Sequence, residues 1–197
     1  SDLGYVDASK NIEKLEVPQE DIDGRHGDVH IAGNPHYWLD PRNGVIIANQ
    51  IKEHLSQVDP ENAATYESNF QAFKQSLNKK FKQWQKQMRQ LSAYQFVTYH
   101  KVWPYFFQAF NLSSIGELES LPGIPPTTKH LANLKSTVLN NKQQQVVLCA
   151  SFYSKHVSKT FAKNIDAKYF FLPTNVGEKG ITSYIGLFDY LVKEMTQ

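Results

Sequence analysis

The sequence predicts an α/β protein with a four-stranded parallel sheet flanked by helices in its C-terminal half, preceded by one long helix. Short apolar or β-branched runs alternate with helical segments after Leu91. The predicted strands lie at 96–99, 114–118, 146–149 and 169–172. Because a helical segment separates consecutive strands, we expect them to run parallel, with helices covering both faces of the sheet.

Two helices are predicted before the sheet. Asp40-Pro41 and Asp59-Pro60 each place a capping residue before a proline at the first helical position. Apolar residues then recur three and four apart from Tyr66 to Leu91, which indicates a helix of roughly 30 residues, about 45 Å long. A helix of that length is expected to span two lobes. A coiled coil is the alternative, but aromatic residues dominate the stripe, whereas dimeric coiled coils favour Leu and Ile.

Composition excludes several classes of protein. The chain has 197 residues, of which 41% are hydrophobic and 20% charged, so it is neither disordered nor a disulfide scaffold. Its 21 basic and 19 acidic residues give a net charge of +2, too balanced for nucleic-acid binding through a basic patch. No apolar run reaches the ~20 residues that span a bilayer. The single cysteine, Cys149, excludes an internal disulfide and a multi-cysteine metal site.

Two of the seven histidines stand where functional groups are expected. His36 directly precedes a predicted helix, and His100 follows a predicted strand, at the edge where parallel sheets present ligand-binding residues. Each read alone could be a hydrogen-bonded core histidine. Together they suggest two imidazole donors facing each other across a cleft, a donor type that suits zinc.

The remaining histidines are weaker candidates. His26 and His30 lie in a glycine-rich loop without a rigid frame. His54, His130 and His156 fall among polar neighbours within predicted helices, and we expect them at the surface.

Nucleophilic catalysis has little support. Cys149 lies within a strand run, where a buried thiol is inert, and no nucleophile elbow or phosphate-binding glycine loop occurs. A zinc hydrolase would need a general base beside the metal. Glu119 is the only candidate for it, and the sequence contains no HExxH helix.

Four motifs carry a resemblance to a known family. They are Asn34–Pro41 (NPHYWLDP), Tyr99–Phe106 (YHKVWPYF), Glu119–Pro126 (ESLPGIPP) and Leu172–Gly177 (LPTNVG). Their order and spacing resemble those of the metal-binding solute-binding proteins of ABC importers, the zinc and manganese class known as cluster A-I. The resemblance covers nearly the whole chain.

The resemblance implies two α/β lobes joined by one rigid helix, with the metal between them. It divides the chain into a remnant of the N-terminal lobe (1–58), a linking helix (59–91) and a C-terminal lobe (92–197). His36 and His100 match two of the family's ligands. Manganese-type members tend to carry a carboxylate at the position of His100, so zinc is expected, with manganese as the alternative.

The sequence departs from the family pattern in two respects. The family's first lobe begins much earlier and supplies another ligand histidine, so this chain is expected to lack the N-terminal part of that lobe. Thr174 stands where the family has an aspartate ligand, and Thr is a poor zinc ligand. Water, Glu119, Glu117, Thr174 or His30 would have to complete the metal's ligand shell.

The expected function is therefore metal capture and not enzymatic catalysis. The resemblance implies that the protein captures Zn²⁺ in the periplasm, or lipid-anchored outside the cytoplasmic membrane, and delivers it to an ABC permease. No organic cofactor and no nucleic-acid partner is expected, and self-association would cover an exposed remnant of the first lobe. Two alternatives stay open: a zinc-dependent hydrolase, and an adhesion or scavenging protein whose metal site has decayed at Thr174.

Overall fold

The computed structural model describes residues 4–19 and 30–197. Its helices are α1 Pro41–Val58, α2 Ala63–Met88, α3 Pro104–Phe110, α4 Thr128–Asn140, α5 Lys155–Asn164 and α6 Tyr184–Thr196. Its strands are β1 Tyr94–Thr98, β2 Ser113–Glu117, β3 Gln144–Ala150 and β4 Lys168–Leu172. No helix within these two ranges is both long and apolar enough to span a bilayer.

The four strands form one parallel sheet in the order β2-β1-β3-β4. Phe96 of β1 is in register with Val146 of β3, which in turn is in register with Lys168 of β4. The predicted fold class is confirmed. Because the chain leaves β1 in one direction to reach β2 and then crosses back to β3, the carboxyl ends of β1 and β3 border the crevice typical of ligand sites in such sheets.

Alternate side chains of the central strands enter two separate cores. Val146 and Leu148 contact one apolar cluster, shared with α2, α3 and α6, whereas Val147 and Cys149 contact another, shared with α4 and α5. All four residues are fully buried. This accounts for the continuous apolar run of β3, since a strand covered on both faces has no polar side.

The long helix is shorter than predicted. α2 has 26 residues, and separate 3-10 turns at Pro60–Asn62 and Arg89–Leu91 take up the rest of the predicted span. Its apolar stripe includes Leu77 and Trp84, which are buried in the core shared with α6. The indole Nε1 of Trp84 donates to Asp189 Oδ1 of α6 at 2.8 Å, so the helix is fixed to the lobe by packing and by a hydrogen bond.

The first helix contacts both α2 and the C-terminal helix. Asp40 caps α1 by accepting a hydrogen bond from Arg42 N at 2.8 Å. Gly44 allows the ring of Tyr184 to approach closely, because a Cβ built on Gly44 would lie 2.4 Å from that ring. The division of the chain at residues 58 and 91 stays a prediction.

Candidate metal centre

His36 and His100 line one small cavity, although they are far apart in the sequence. Their ring centroids are 6.2 Å apart, with an interplanar angle of 74°. The cavity has a volume of about 80 Å³. Its other lining residues are Glu16, His30, Gly33, Asn34, Pro35, Lys101 and Pro122.

The backbone of the sheet positions His100. The β1–β2 pairing continues past the strand ends, with Leu118 N donating to Thr98 O at 2.8 Å and Glu119 N donating to Tyr99 O at 3.1 Å. This brings the Glu119 carboxylate to His100, where Oε2 lies 2.6 Å from Nδ1. The two side chains are only 11% and 6% exposed, so the pair is held away from solvent.

Glu119 has a second partner. Its Oε2 also accepts a hydrogen bond from Gly123 N at 3.0 Å, which braces the proline-rich turn that follows β2. The carboxylate thus joins His100 to this turn.

Side-chain hydrogen bonds position His36. Asn34 Oδ1 accepts from His36 N and lies 3.0 Å from both that atom and His36 Nδ1. The amide nitrogen of the buried Asn34 donates to Glu16 Oε2 at 2.8 Å and to Lys101 O at 2.7 Å. Asn34 therefore links the segment before α1 to the residue that follows His100.

Gly33 lets this segment turn where it does. Its φ of +90° is a backbone conformation that residues other than glycine rarely adopt. A Cβ added at Gly33 would lie 2.8 Å from Leu15 O. The next amide, Asn34 N, donates to the same carbonyl at 2.8 Å.

Both imidazoles have Nδ1 directed at an oxygen acceptor. A carboxylate only accepts, so His100 carries its proton on Nδ1, and the amide oxygen of Asn34 assigns the same tautomer to His36. The lone pair of each ring is then on Nε2. Carboxylate or amide acceptors behind metal-ligating histidines fix the ring and raise its basicity, which is the arrangement seen here.

The electrostatics of the cavity favour neutral His36. The pKa of His36 is lowered to about 4, mainly by burial and also by the neighbouring His100 and His30, whereas Glu16 acts in the opposite direction. A metal ligand must be deprotonated, so His36 is in its ligating form at neutral pH.

The weaker candidates lie in different places. His30 lines the cavity and is exposed, whereas Thr174 is fully buried and is not among the lining residues. Thr174 Oγ1 accepts from Asn175 Nδ2 at 3.2 Å, and its carbonyl accepts from Trp38 Nε1 at 2.9 Å. Glu117 does not line the cavity, and burial raises its pKa. His26 lies outside the described residues.

Within 4–19 and 30–197 there is no group of three or more His, Cys, Asp or Glu side chains arranged to hold a metal ion. His36 and His100 are a pair, and the ligand assignments stay predictions.

Two residues of this site were not predicted from the sequence, and the surface position predicted for two histidines is wrong. Asn34 and Glu16 connect His36 to the rest of the cavity, and the only signal was an asparagine two residues before His36. His54 and His130, expected at the surface, are half-buried, and His130 Nε2 lies 2.8 Å from Glu117 O. His156 is exposed as expected.

Comparison with known proteins decides the family. Residues 2–197 match the family described as ZnuA, zinc-uptake complex component A, periplasmic. The chain belongs to this family. The predicted resemblance is thereby confirmed, as is the expected location, the periplasm or a lipid-anchored position outside the cytoplasmic membrane.

Individual relatives agree with this assignment. The high-affinity zinc uptake system protein ZnuA of Brucella abortus is 28% identical over 103 residues, which are 52% of this chain and 31% of that protein. The metal ABC transporter substrate-binding lipoprotein SloC of Streptococcus mutans is 35% identical over 83 residues, 41% of this chain and 27% of that protein. The chain thus matches only about a third of the length of these curated relatives, whose names describe transport and metal-uptake proteins.

Solved structures share the fold. A crystal structure of ZnuA superposes with a TM-score of 0.78 at 23% identity and covers 97% of this chain and 68% of that one. The solute-binding protein FpvC of Pseudomonas aeruginosa, in complex with Mn²⁺, gives a TM-score of 0.77 at 18% identity, covering 97% of this chain and 67% of that one. At these identities the likeness shows the fold alone.

Proposed function

We propose that this chain binds a divalent transition metal, zinc in preference to manganese, through Nε2 of His36 and Nε2 of His100. The protein would capture the ion outside the cytoplasmic membrane and deliver it to the permease of an ABC importer. The observation that carries the proposal is the pair of imidazoles at one cavity, each with Nδ1 held by an oxygen acceptor.

The donor set favours zinc over manganese. Neutral imidazole is a borderline donor that suits zinc, whereas manganese prefers carboxylate, carbonyl and water oxygens. The buried carboxylate of Glu119, beside His100, is already engaged by His100 Nδ1 and Gly123 N. Glu119 is therefore a positioning residue for His100, and the two nitrogen donors set the metal preference.

Two imidazoles do not complete a zinc shell. Tetrahedral zinc needs four donors, so water must occupy the remaining positions, and His30 is a further imidazole that lines the cavity. Thr174 is not proposed as a ligand, because its Oγ1 accepts a hydrogen bond from Asn175 and its carbonyl accepts one from Trp38. The zinc affinity of the chain is consequently expected to be weak compared with that of a site having three or four protein ligands.

The same geometry argues against a zinc hydrolase. A hydrolytic zinc site needs a general base that can accept a proton from the metal-bound water. Glu119 faces the imidazole Nδ1 and not the position of a metal on Nε2, so it cannot take that role without breaking the contacts that orient His100.

Calorimetric zinc titration of the 197-residue chain, paired with a model ester assay, tests this function. We expect zinc binding at neutral pH, weaker manganese binding and no zinc-dependent ester turnover. The variant His156→Ala, which alters an exposed histidine on α5, should bind zinc as the unaltered chain does. Absence of zinc binding would contradict the proposal, and zinc-dependent turnover would establish the hydrolase.

A further inference from the structure

The charge of the molecule is strongly uneven along the chain. Residues 1–67 contain 13 acidic and 5 basic residues, whereas residues 68–197 contain 6 acidic and 16 basic residues. The net charge of +2 for the whole chain therefore combines an acidic first third with a basic remainder. Such asymmetry points to a surface with an electrostatic partner.

One long segment of the chain carries basic residues and no acidic ones. From Ser120 to Ile165 the sequence contains no Asp or Glu. Helices α4 and α5 both belong to this stretch, pack on the same face of the sheet and together line a groove of about 410 Å³. The lysines on these two helices, which define the α4–α5 face, are Lys129, Lys135, Lys155, Lys159 and Lys163.

These lysines form no ion pair with an acidic side chain in the part of the chain that the structure describes. Four of them are exposed and Lys135 is half-buried. None takes part in the ion pairs found among residues 4–19 and 30–197. Lys155 lies over the ring of Phe171, 5.3 Å from its centroid, which keeps its charge at the surface. Helices α4 and α5 therefore carry five lysines and no acidic residue, and the exposed Asp166 follows α5.

We propose that the α4–α5 face docks the protein onto an anionic phospholipid surface. The type of basic residue distinguishes this partner from an acidic protein, because the chain has no arginine after Arg89. Protein interfaces are enriched in arginine and depleted in lysine. Lysine is a compact, strongly hydrated point charge, which suits diffuse attraction to headgroups more than bidentate recognition of a defined carboxylate.

The surroundings of the face fit a membrane interface. Phe152, in the loop between β3 and α5, is 56% exposed, and an aromatic ring near lysines can enter the headgroup region. The face lies on the side of the sheet opposite α2 and α6. The cavity of His36 and His100 is at the carboxyl edge of the sheet, and no lysine of the α4–α5 face lines it.

Vesicle co-sedimentation of the 197-residue chain tests the proposal. The vesicles are made either of phosphatidylcholine alone or of equal parts phosphatidylcholine and phosphatidylglycerol. We expect binding only to the second kind, weakening as salt is added. At about fivefold per lysine, the triple variant Lys155→Ala, Lys159→Ala, Lys163→Ala should bind about 100-fold more weakly.

The control variant removes the same charge elsewhere. Lys79, Lys82 and Lys86 are exposed lysines of α2, and their triple replacement by alanine should leave vesicle binding within a few-fold of the unaltered chain. Circular dichroism checks that both variants fold, as expected for exposed helical positions where alanine is the best helix former.

Three outcomes would overturn the proposal. They are equal binding to both kinds of vesicle, equal loss of binding in the two triple variants, and absence of vesicle binding. If the chain did not bind the vesicles but bound polyglutamate through the α5 lysines, the partner of the α4–α5 face would be an acidic polypeptide.

Discussion

His100 and His36 reach the same cavity but are held there in different ways. His100 follows β1, and the backbone hydrogen bonds that extend the β1–β2 ladder bring Glu119 to it. His36 lies in the segment before α1, and Asn34 connects it by side-chain bonds to Glu16 and to the carbonyl of Lys101. One proposed ligand is therefore positioned by the sheet and the other by the side chain of Asn34.

The difference has a consequence for binding. A ligand fixed by a backbone ladder keeps its position when one supporting side chain changes, because the sheet still sets the path of the chain. A ligand held by the hydrogen bonds of one side chain, as Asn34 holds His36, loses both its orientation and its position when that side chain is replaced. The His36 side of the site should be the more sensitive of the two.

The largest effect should come from removing either imidazole. His36→Ala and His100→Ala should each weaken zinc binding by about 100-fold or more, since each variant removes one of the two proposed nitrogen donors. The loss should exceed the usual effect, about 10- to 100-fold, of replacing a supporting residue. Calorimetry measures the change, with His156→Ala as the silent control. An unchanged dissociation constant in either variant would remove that histidine from the site.

Acid should destabilise the metal-free protein through His36. The pKa of His36 is about 4 in the folded chain, below the usual 6.5, so the unfolded state binds the additional proton. The stabilising contribution is present above pH 6.5 and is lost as the pH falls toward 4, by up to about 3 kcal/mol.

Denaturant unfolding at several pH values, without metal, measures this. His36→Gln keeps an N–H donor for Asn34 and removes the titrating group, so its stability should fall less over this pH range. If the free energy of unfolding depended on pH equally in the two proteins, His36 would not be held neutral by its surroundings.

Replacing the supporting residues should separate the two sides of the site. Within the usual 10- to 100-fold range, we expect Asn34→Ala to approach about 100-fold and Glu119→Gln to remain near 10-fold in zinc affinity. Asn34→Ala also removes the amide donor to Glu16 Oε2 and to the carbonyl of Lys101, although Glu16 keeps its ion pair with Lys101 Nζ. Titrations of both variants under the same conditions measure the ratio. A greater loss for Glu119→Gln would reverse our account of which ligand is the less securely held.

The smallest effect concerns the connection of α1 to the C-terminal helix. Tyr184 Oη donates to Trp38 O at 2.6 Å and lies 3.2 Å from Asp40 O, and burial raises the pKa of this hydroxyl. Tyr184→Phe should lower the free energy of unfolding by about 1–2 kcal/mol by removing the hydroxyl donor from Trp38 O, whereas Asp40 O still accepts from Asn43 N. Tyr190→Phe, on the same helix and half-buried, serves as the matched control for urea unfolding.

Much of the fold could be predicted because its signals are local. The β3 run of fully buried residues and the proline after Asp40 each depend on a few adjacent residues. The length of α2 was overestimated for the same reason. An apolar stripe at helical spacing continues through the 3-10 turn at Arg89–Leu91, where Leu91 is still buried, although the backbone has left the α-helix.

The site was only partly predictable because its connections are long-range. The position of His100 followed from the rule that parallel strands present functional groups at their carboxyl ends. The role of Asn34 did not, since its partners Glu16 and Lys101 are brought together only by the folded chain. Thr174, placed at the site by motif position, is instead buried beside Trp38, because the β4–α6 connection directs its hydroxyl to Asn175.

The central claim is that zinc binds Nε2 of both histidines while Nδ1 keeps its proton. Nitrogen-15 NMR of the imidazole rings, recorded during zinc titration of the histidine-labelled chain, measures this directly. The account predicts that the Nε2 resonances of His36 and His100 shift together, that both Nδ1 atoms stay protonated, and that His156 is unaffected. Zinc-induced shifts at Nδ1, or shifts confined to other histidines, would contradict it.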